Sequence, residues 1–444
     1  MQRLAIIGAG IAGMTACWQL KDKYSVTVFE SEKELGGQIK TVTLDTKEGK
    51  VGVDMAVQIF SENTYPNLFE MFELFNVPTY VSPLSFSAFF SSLKESWNNC
   101  NLRETELGCV LLEECDKFHL DMYKISQNYS LYSSYNLYEF LKEKKYSDSF
   151  ISKALFPKLS ILAGSRASLM DFSLGYCAAL FNFRLLSFFT PPQWRRVKGG
   201  AKVLVDNIEN LCKGKVRFKK NCAVKKVTRT PSHIEIEDIT REKHTFDQVI
   251  FALHAETILN LLSDPDEKEK ELLSSFAYDY ATSVVHTSSN IFNGLASNDY
   301  RKYPSCFYKY NKKEVNHDCL GSTTFNIAKI ASFKNKESAI FMSINPEENI
   351  PNEQTIASHT WKHPKLRPSD MQTKQRIGKE QGKRKTWFCG LDTSSTGHEG
   401  ALVSGLVIAE ALDVPYPFTD KPSAKSYFTE VKKIMGMDAI NSNS

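Results

Sequence analysis

The chain has 444 residues, of which 42% are hydrophobic and 24% are charged, and its formal net charge is +4. This length allows more than one sizeable hydrophobic core, and the nearly balanced charge argues against a nucleic-acid-binding protein. The ten cysteines include no C-x-x-C pair, which argues against a zinc site and against a disulfide framework, so we expect no bound metal.

The first predicted elements are a short apolar strand, a glycine-rich turn and a helix. The turn carries the pattern G-x-G-x-x-G, formed by Gly8, Gly10 and Gly13. The first glycine permits the tight turn, the second lets the backbone approach a pyrophosphate, and the third lets the helix pack closely on the strand. The free N–H groups at the start of the helix, around Ile11 and Ala12, can then bind phosphate oxygens. The pattern therefore predicts a dinucleotide site.

A second strand follows and ends at Glu30, whose carboxylate can accept hydrogen bonds from ribose hydroxyls; we include Ser31 in the same site. A double glycine, Gly36-Gly37, comes a few residues later. An acid followed by such a pair is typical of FAD enzymes of the glutathione-reductase superfamily. That superfamily usually has arginine after the second glycine, whereas this chain has Gln38 and so lacks one phosphate-facing charge.

The middle of the chain is rich in helical and aromatic patterns and carries no further nucleotide signal. Within it, the block 155–194 is apolar and aromatic, which fits a buried helix, a tunnel for an acyl chain or a segment inserted into a membrane surface. Strand patterns then recur between residues 216 and 252. We expect these strands to form one smaller sheet, and we include Val224 among the cofactor-binding residues.

Near the C-terminal end, a strand leads into the sequence Gly-Leu-Asp, and a helix begins close to Glu-Gly-Ala. This arrangement resembles the closing motif of flavin-containing amine oxidases and phytoene-desaturase-like proteins. The resemblance implies that the aspartate contacts the ribitol or pyrophosphate, and that the positive end of the helix faces the flavin ring. The cofactor-binding residues expected here are Gly390, Asp392, Gly397, Glu399, Gly400 and Ala401.

Further segments resemble a group of NAD/FAD-binding, amine-oxidase-like proteins that often occur beside cyclopropane-fatty-acid-synthase-like methyltransferases. These segments include residues 53–68, 194–200 and 397–399, and together the matches extend over about 50–410. One departure is Ala56, where the group commonly has glycine.

The implied fold class is α/β, with a glutathione-reductase-type Rossmann FAD-binding domain and an inserted α+β substrate domain. Each domain is assembled from separate segments, because the chain leaves the nucleotide domain and returns to it. The expected segments are 1–60, 191–264 and 381–418 for the FAD-binding domain, 61–190 and 265–380 for the substrate domain, and 419–444 for a loosely attached tail.

Two histidines are candidate catalytic residues. The resembling amine oxidases have a cage tyrosine two residues before Glu-Gly-Ala, where this chain has Gly397, and a lysine near flavin N5, where it has His286. His286 and His398 can exchange a proton near neutral pH while a hydride moves. The alternative for each is a hydrogen-bonded structural histidine, which is the interpretation we favour for His254 and His363.

The sequence therefore predicts an FAD-dependent, amine-oxidase-like oxidoreductase that transfers a hydride from a small-molecule substrate to flavin N5. Two alternatives stay open: a flavin-dependent desaturase, reductase or isomerase of an acyl lipid, and a non-catalytic flavin-bearing partner subunit. No run of about 20 apolar residues occurs, and the apolar opening is interpreted as the first strand rather than as a signal peptide. We expect a cytoplasmic protein that binds no nucleic acid. Formation of a homodimer and peripheral contact with a membrane stay open.

Overall fold

The computed structural model describes residues 1–47, 49–91, 94–98, 106–163, 169–182, 193–295, 299–311, 321–333, 339–395 and 397–438. The α-helices, in chain order, are α1 (Ile11–Leu20), α2 (Pro66–Leu74), α3 (Glu106–Ser126), α4 (Leu137–Glu143), α5 (Phe156–Ala163), α6 (Leu174–Asn182), α7 (Lys202–Cys212), α8 (Ala255–Leu261), α9 (Glu267–Ser274), α10 (Ile327–Ile330), α11 (Pro368–Gly378), α12 (Gly397–Ala411) and α13 (Pro422–Ile434).

The strands, in chain order, are β1 (Arg3–Ile7), β2 (Ser25–Phe29), β3 (Thr41–Thr46), β4 (Gly49–Asp54), β5 (Thr79–Val81), β6 (Phe86–Phe90), β7 (Glu95–Asn98), β8 (Arg195–Val197), β9 (Val216–Lys219), β10 (Val224–Arg229), β11 (Ile234–Asp238), β12 (Lys243–Phe246), β13 (Gln248–Phe251), β14 (Tyr278–His286), β15 (Cys306–Tyr310), β16 (Ser322–Asn326), β17 (Phe341–Ile344), β18 (Thr355–Pro364) and β19 (Thr386–Phe388).

The nucleotide-binding part is built on a five-stranded parallel sheet in the order β19-β13-β1-β2-β9. Four of the five residues of β1 are buried, as expected for a parallel strand covered on both faces. Helices α1 and α12 pack together at very short range, since a Cβ atom on Gly405 would lie only 2.4 Å from the Ala12 carbonyl oxygen. The mixed α/β fold class is confirmed.

The strands predicted between residues 216 and 252 all form, but they do not share one sheet. β10, β11 and β12 make a three-stranded antiparallel sheet, whereas β9 and β13 belong to the parallel sheet. The prediction of a single smaller sheet was therefore wrong. Local hydrophobic patterns identify a strand, but its partners are chosen by long-range pairing.

The inserted part contains a seven-stranded mixed sheet in the order β18-β14-β17-β16-β15-β6-β7. One of the two large hydrophobic clusters of the described residues joins this sheet to α3, α4, α5 and α6. Within the aromatic block, residues 155–159 and 174–180 contribute buried side chains to this core, as a buried helix would. The stretch 183–192 lies outside the described residues.

The C-terminal segment is docked rather than loosely attached. On the buried face of α13, Ala424, Tyr427, Phe428 and Val431 join the hydrophobic core of the nucleotide-binding part, and Ile434 joins the core around the seven-stranded sheet. The prediction of a loose tail over 419–444 was wrong for this helix, because apolar residues at helical spacing bury a continuous stripe. The boundaries of the other segments stay predictions. No described helix is both long enough and apolar enough to cross a membrane.

The docking of α13 predicts a large stability effect at Phe428, whose ring stacks on Tyr416 with centroids 4.1 Å apart. Replacing this buried ring in Phe428→Ala is expected to lower the free energy of unfolding by about 3–5 kcal/mol, measured by urea denaturation. The control is Ser426→Ala on the exposed face of the same helix, which is expected to change it by less than about 0.5 kcal/mol. Equal effects of the two substitutions would contradict the docked helix.

Candidate cofactor and active site

A cavity of about 350 Å³ opens beyond the carboxyl ends of β1, β13 and β19. Ligands of open α/β sheets bind in this crevice. Twelve residues predicted from the sequence line the cavity: Gly8, Gly10, Ile11, Ala12, Glu30, Gly36, Gly37, Gln38, Gly390, Gly397, His398 and Ala401.

The glycines of the first turn have different environments. At Gly8 φ is +100°, and a Cβ atom would lie 2.5 Å from the Ala252 carbonyl oxygen. At Gly13 a Cβ atom would lie 2.1 Å from the Gly8 carbonyl oxygen, so this glycine permits close packing and does not face the cavity. A Cβ atom on Gly10 would meet nothing within 4 Å, so its backbone is open to a ligand. This arrangement fits a pyrophosphate at the start of α1.

Glu30 lines the cavity from the end of β2. Its carboxylate accepts hydrogen bonds from Ala9 N–H at 2.9 Å and from Glu32 N–H at 2.9 Å, which hold it beside the glycine turn. The Ser31 hydroxyl donates to the same carboxylate at 3.1 Å, so it orients Glu30 and does not itself line the cavity. Val224 likewise lies outside the cavity lining, at the start of β10.

Asp392 does not line the cavity, contrary to the prediction that it contacts ribitol or pyrophosphate. Its buried carboxylate accepts hydrogen bonds from Ala255 N–H at 2.7 Å and from the Tyr278 hydroxyl at 2.6 Å, and His254 Nδ1 lies 3.3 Å away. Burial alone would raise the pKa of Asp392, but His254 and these donors outweigh it and lower the pKa. Asp392 thus stabilises the N-terminus of α8 and orients His254.

Glu399 and Gly400 also have structural roles rather than the predicted contact with the cofactor. The Glu399 carboxylate accepts hydrogen bonds from Asn67 N–H at 2.7 Å, Asn67 Nδ2 at 2.9 Å and Leu68 N–H at 2.8 Å, so it joins α12 to the start of α2. Burial raises the pKa of Glu399 to about 7. A Cβ atom on Gly400 would lie 2.3 Å from Ser395 Oγ, so glycine is needed for packing.

His398 faces the cavity from the first turn of α12. Its ring lies edge-on to Phe60, with centroids 6.0 Å apart, and its nitrogens have no hydrogen-bond partner among the described residues. Burial lowers the pKa of His398 to about 4, so the imidazole is neutral at pH 7. A neutral imidazole can accept a proton or a hydrogen bond from a ligand.

His286 is not brought to this cavity. It is completely buried in β14, where its Nε2 lies 2.9 Å from Ser343 Oγ and its Nδ1 accepts a hydrogen bond from Ser288 N–H at 3.1 Å. Burial lowers its pKa to about 4. Both nitrogens are satisfied by the protein, so His286 fits the alternative of a structural histidine, and its proposed catalytic role is not supported.

Sequence reasoning missed several cavity residues that come from the loop after β13 and from β18. These residues are Leu253, His254, His359, Thr360, Trp361 and Lys362. Their sequence signal was weak: His254 follows a recognisable strand, and Trp361 precedes a Lys-His-Pro segment. Only the pairing of β18 with β14 brings the second group to the nucleotide-binding part.

Gly397 has an aromatic neighbour from a distant segment. A Cβ atom at Gly397 would lie 3.9 Å from the Tyr65 ring, and Tyr65 in turn lies edge-on to Phe60, with centroids 5.4 Å apart. An aromatic side chain therefore stands beside the position where the resembling amine oxidases have their tyrosine, although it enters from the residue before α2.

Sequence comparison decides the family. The profile described as flavin containing amine oxidoreductase matches residues 11–413. The chain belongs to this family. No curated protein sequence matches the chain significantly.

Solved structures of similar fold cover nearly the whole chain. A CLA-producing fatty acid isomerase from P. acnes is 15% identical with a TM-score of 0.68, and 93% of this chain and 98% of that chain are covered. Cyclohexylamine oxidase from Brevibacterium oxydans is 14% identical with a TM-score of 0.67, covering 93% and 99%. Putrescine oxidase bound to putrescine is 13% identical with a TM-score of 0.66, also covering 93% and 99%. At these identities the likeness concerns the fold.

FAD is the cofactor of this protein. The cavity fits it, because the open backbone at Gly10 and the N-terminus of α1 can receive the pyrophosphate, and the Glu30 carboxylate can receive ribose hydroxyls. At Gly390 φ is +114° and a Cβ atom would again meet nothing within 4 Å, so a second stretch of backbone is open to the ligand.

The open space at Gly10 predicts that Gly10→Val folds but loses its cofactor, because the added side chain would enter the pyrophosphate site. We expect the purified variant to show no flavin absorbance near 450 nm while its circular dichroism matches that of the native protein. Full retention of FAD would refute the placement of the site. Gly13→Val should differ, since its side chain would strike the Gly8 carbonyl oxygen and destabilise the fold itself.

The raised pKa of Glu399 predicts a pH-dependent stability term. The unfolded glutamate ionises near 4.5, whereas the folded one keeps its proton to about 7, so between these values the native state binds more protons and loses stability as pH rises. The free energy of unfolding of the native protein should fall relative to that of Glu399→Gln by roughly 1.4 kcal/mol per pH unit between about pH 5 and 7. Urea denaturation across this range tests it, and a pH-independent difference would contradict it.

Proposed function

We propose that this protein is an FAD-dependent oxidoreductase that removes a hydride from a carbon atom of an uncharged small-molecule substrate, an amine in its neutral form. The observation that carries the proposal is the neutral imidazole of His398 in the cofactor cavity, whose nitrogens have no hydrogen-bond partner among the described residues. Bound FAD supplies the hydride acceptor at flavin N5.

The electrostatics of the cavity favour an uncharged substrate. Among the described lining residues, Glu30 is the one carboxylate, and its position after β2 assigns it to the ribose. Around His398 the neighbours are aromatic, with Phe60 completely buried and Tyr65 half-buried. An ammonium ion entering this part would lose its hydration without gaining an ionic partner, which disfavours the charged form of an amine.

His398 suits the proton side of the reaction. A neutral imidazole can accept the proton that the substrate releases as the hydride leaves, and burial in a site of low polarity shields this exchange from bulk water. The first turn of α12 places His398 between Gly397, which lines the cavity, and Glu399, which is anchored to α2. The side chain is therefore held by rigid elements on both sides.

An acyl lipid is the second candidate substrate. The same uncharged surroundings of His398 would accept an apolar chain, and the fatty acid isomerase that shares this fold acts on such a substrate. In that case the oxidoreductase would desaturate, reduce or isomerise the chain, again by hydride exchange between a substrate carbon and the flavin.

Anaerobic flavin bleaching tests the proposal. The holoprotein is mixed with a panel of primary and secondary amines and, separately, with unsaturated fatty acids, and the absorbance near 450 nm is followed. Bleaching by amines supports the first substrate class. Bleaching by fatty acids alone would overturn it in favour of the second, and no bleaching by either panel would argue for a subunit without turnover.

The role of His398 predicts that His398→Ala retains FAD but is reduced about 10²–10⁴-fold more slowly by the substrate that bleaches the native protein, because the proton acceptor is lost. Stopped-flow absorbance gives the rate. His286→Gln serves as the matched control, since that histidine lies outside the cavity, and it should keep the native reduction rate. A native rate in His398→Ala would remove His398 from the mechanism.

A further inference from the structure

The pyrophosphate of FAD brings negative charge into a site whose expected arginine is replaced by Gln38. In the structure Gln38 lines the cavity, and its Nε2 donates a hydrogen bond to the Lys362 carbonyl oxygen at 3.3 Å. Gln38 thus contacts β18 and contributes no charge. The N–H groups of α1 supply partial positive charge, but a dinucleotide site of this kind lacks a full cation from the glycine loop.

Two basic side chains enter the same cavity from other elements. Lys362 comes from β18, where its Nζ lies 4.2 Å from the centre of the Tyr278 ring and forms an ion pair with the largely exposed Glu256. His254 is the residue directly before α8, and its Nδ1 lies 3.3 Å from the Asp392 carboxylate. Neither side chain belongs to the glycine motif, and both lie on cavity walls.

The backbone places His254 beside the phosphate-binding turn. It follows β13, which pairs with β1, and the two residues before it touch the first glycine: a Cβ atom on Gly8 would lie 2.5 Å from the Ala252 carbonyl oxygen and 2.9 Å from Leu253 Cδ2. Gln38, which follows the double glycine, donates to the backbone carbonyl of Lys362, so this residue of β18 also lies near the glycine loops. Both residues therefore line the cavity near the place where the pyrophosphate binds in this fold.

Asp392 gives His254 a fixed orientation. The contact at Nδ1 leaves Nε2 as the ring nitrogen without a hydrogen-bond partner among the described residues, so Nε2 is the one that can meet a ligand. Tyr278 connects the two side chains, because its hydroxyl donates to Asp392 at 2.6 Å while the Lys362 ammonium lies over its ring face. A cation over an aromatic face keeps its charge available at the exposed side.

We infer that His254 and Lys362 form a basic pair that binds the diphosphate of FAD in place of the arginine replaced by Gln38. The pair binds the phosphate oxygens by charge-assisted hydrogen bonds, and Asp392 and Tyr278 position it. The inference concerns retention of the cofactor and does not depend on which substrate is oxidised.

Equilibrium binding to the apoprotein tests this pair. FAD is titrated with detection by quenching of its fluorescence, and ADP, which carries the diphosphate without the flavin, is titrated by calorimetry. We expect Lys362→Met and His254→Gln each to lower the affinity for FAD and for ADP by about tenfold. This loss of affinity should be smaller at high salt, where charge contacts are screened. Circular dichroism melting establishes that each variant is folded.

Two further variants make the test specific. Lys365→Met changes the net charge identically but lies outside the cavity, so it should leave both affinities unchanged. Gln38→Arg introduced into Lys362→Met should restore most of the lost affinity by returning a cation to the glycine loop. Native affinity for FAD and ADP in either His254→Gln or Lys362→Met would overturn the inference. A loss of affinity for FAD alone, or an equal loss in Lys365→Met, would also overturn it.

Discussion

The arrangement of the site depends on contacts at the start of α1 that only glycine permits. Gly13 brings the helix to within contact distance of the Gly8 carbonyl, and Gly405 lets α12 approach the Ala12 carbonyl equally closely. These approaches direct the N–H groups of α1 into the crevice beyond β1 and set the start of α12 beside it. A side chain at Gly13 would push α1 away from the glycine turn, and one at Gly405 would push α12 away from α1, so either would displace the helix termini that line the cavity.

Two acidic residues of the cofactor motifs, Asp392 and Glu399, connect distant segments of the chain. Asp392 joins the loop after β19 to the N-terminus of α8, and Glu399 joins α12 to the N-terminus of α2. Each carboxylate satisfies backbone N–H groups that a helix start leaves unpaired, and each connects segments more than a hundred residues apart. Glu30 differs, since it is also exposed to the cavity. Position in a motif therefore does not by itself distinguish a ligand contact from a structural one.

Catalytic identity is decided by a few side chains on a common scaffold. A fatty acid isomerase and two amine oxidases share this fold with 13–15% identity, so the scaffold accommodates different substrates. In this chain the cavity is lined by the neutral imidazole of His398 and by the basic residues His254 and Lys362, and the aromatic rings of Phe60 and Tyr65 stand beside His398 and Gly397. The proposed function rests on this arrangement, in which basic residues serve the cofactor and the surroundings of His398 stay uncharged.

The sequence alone determined the strand–glycine turn–helix unit, the acid Glu30 and the double glycine, because their function depends on residues that are neighbours along the chain. The tertiary structure decided which histidine reaches the cavity: His398 and His254 do, whereas His286 points into a buried strand interface. It also brought Lys362 to the nucleotide-binding part and docked α13. These outcomes depend on strand partners and side-chain directions set by packing between distant segments, which a local pattern of residue types does not encode.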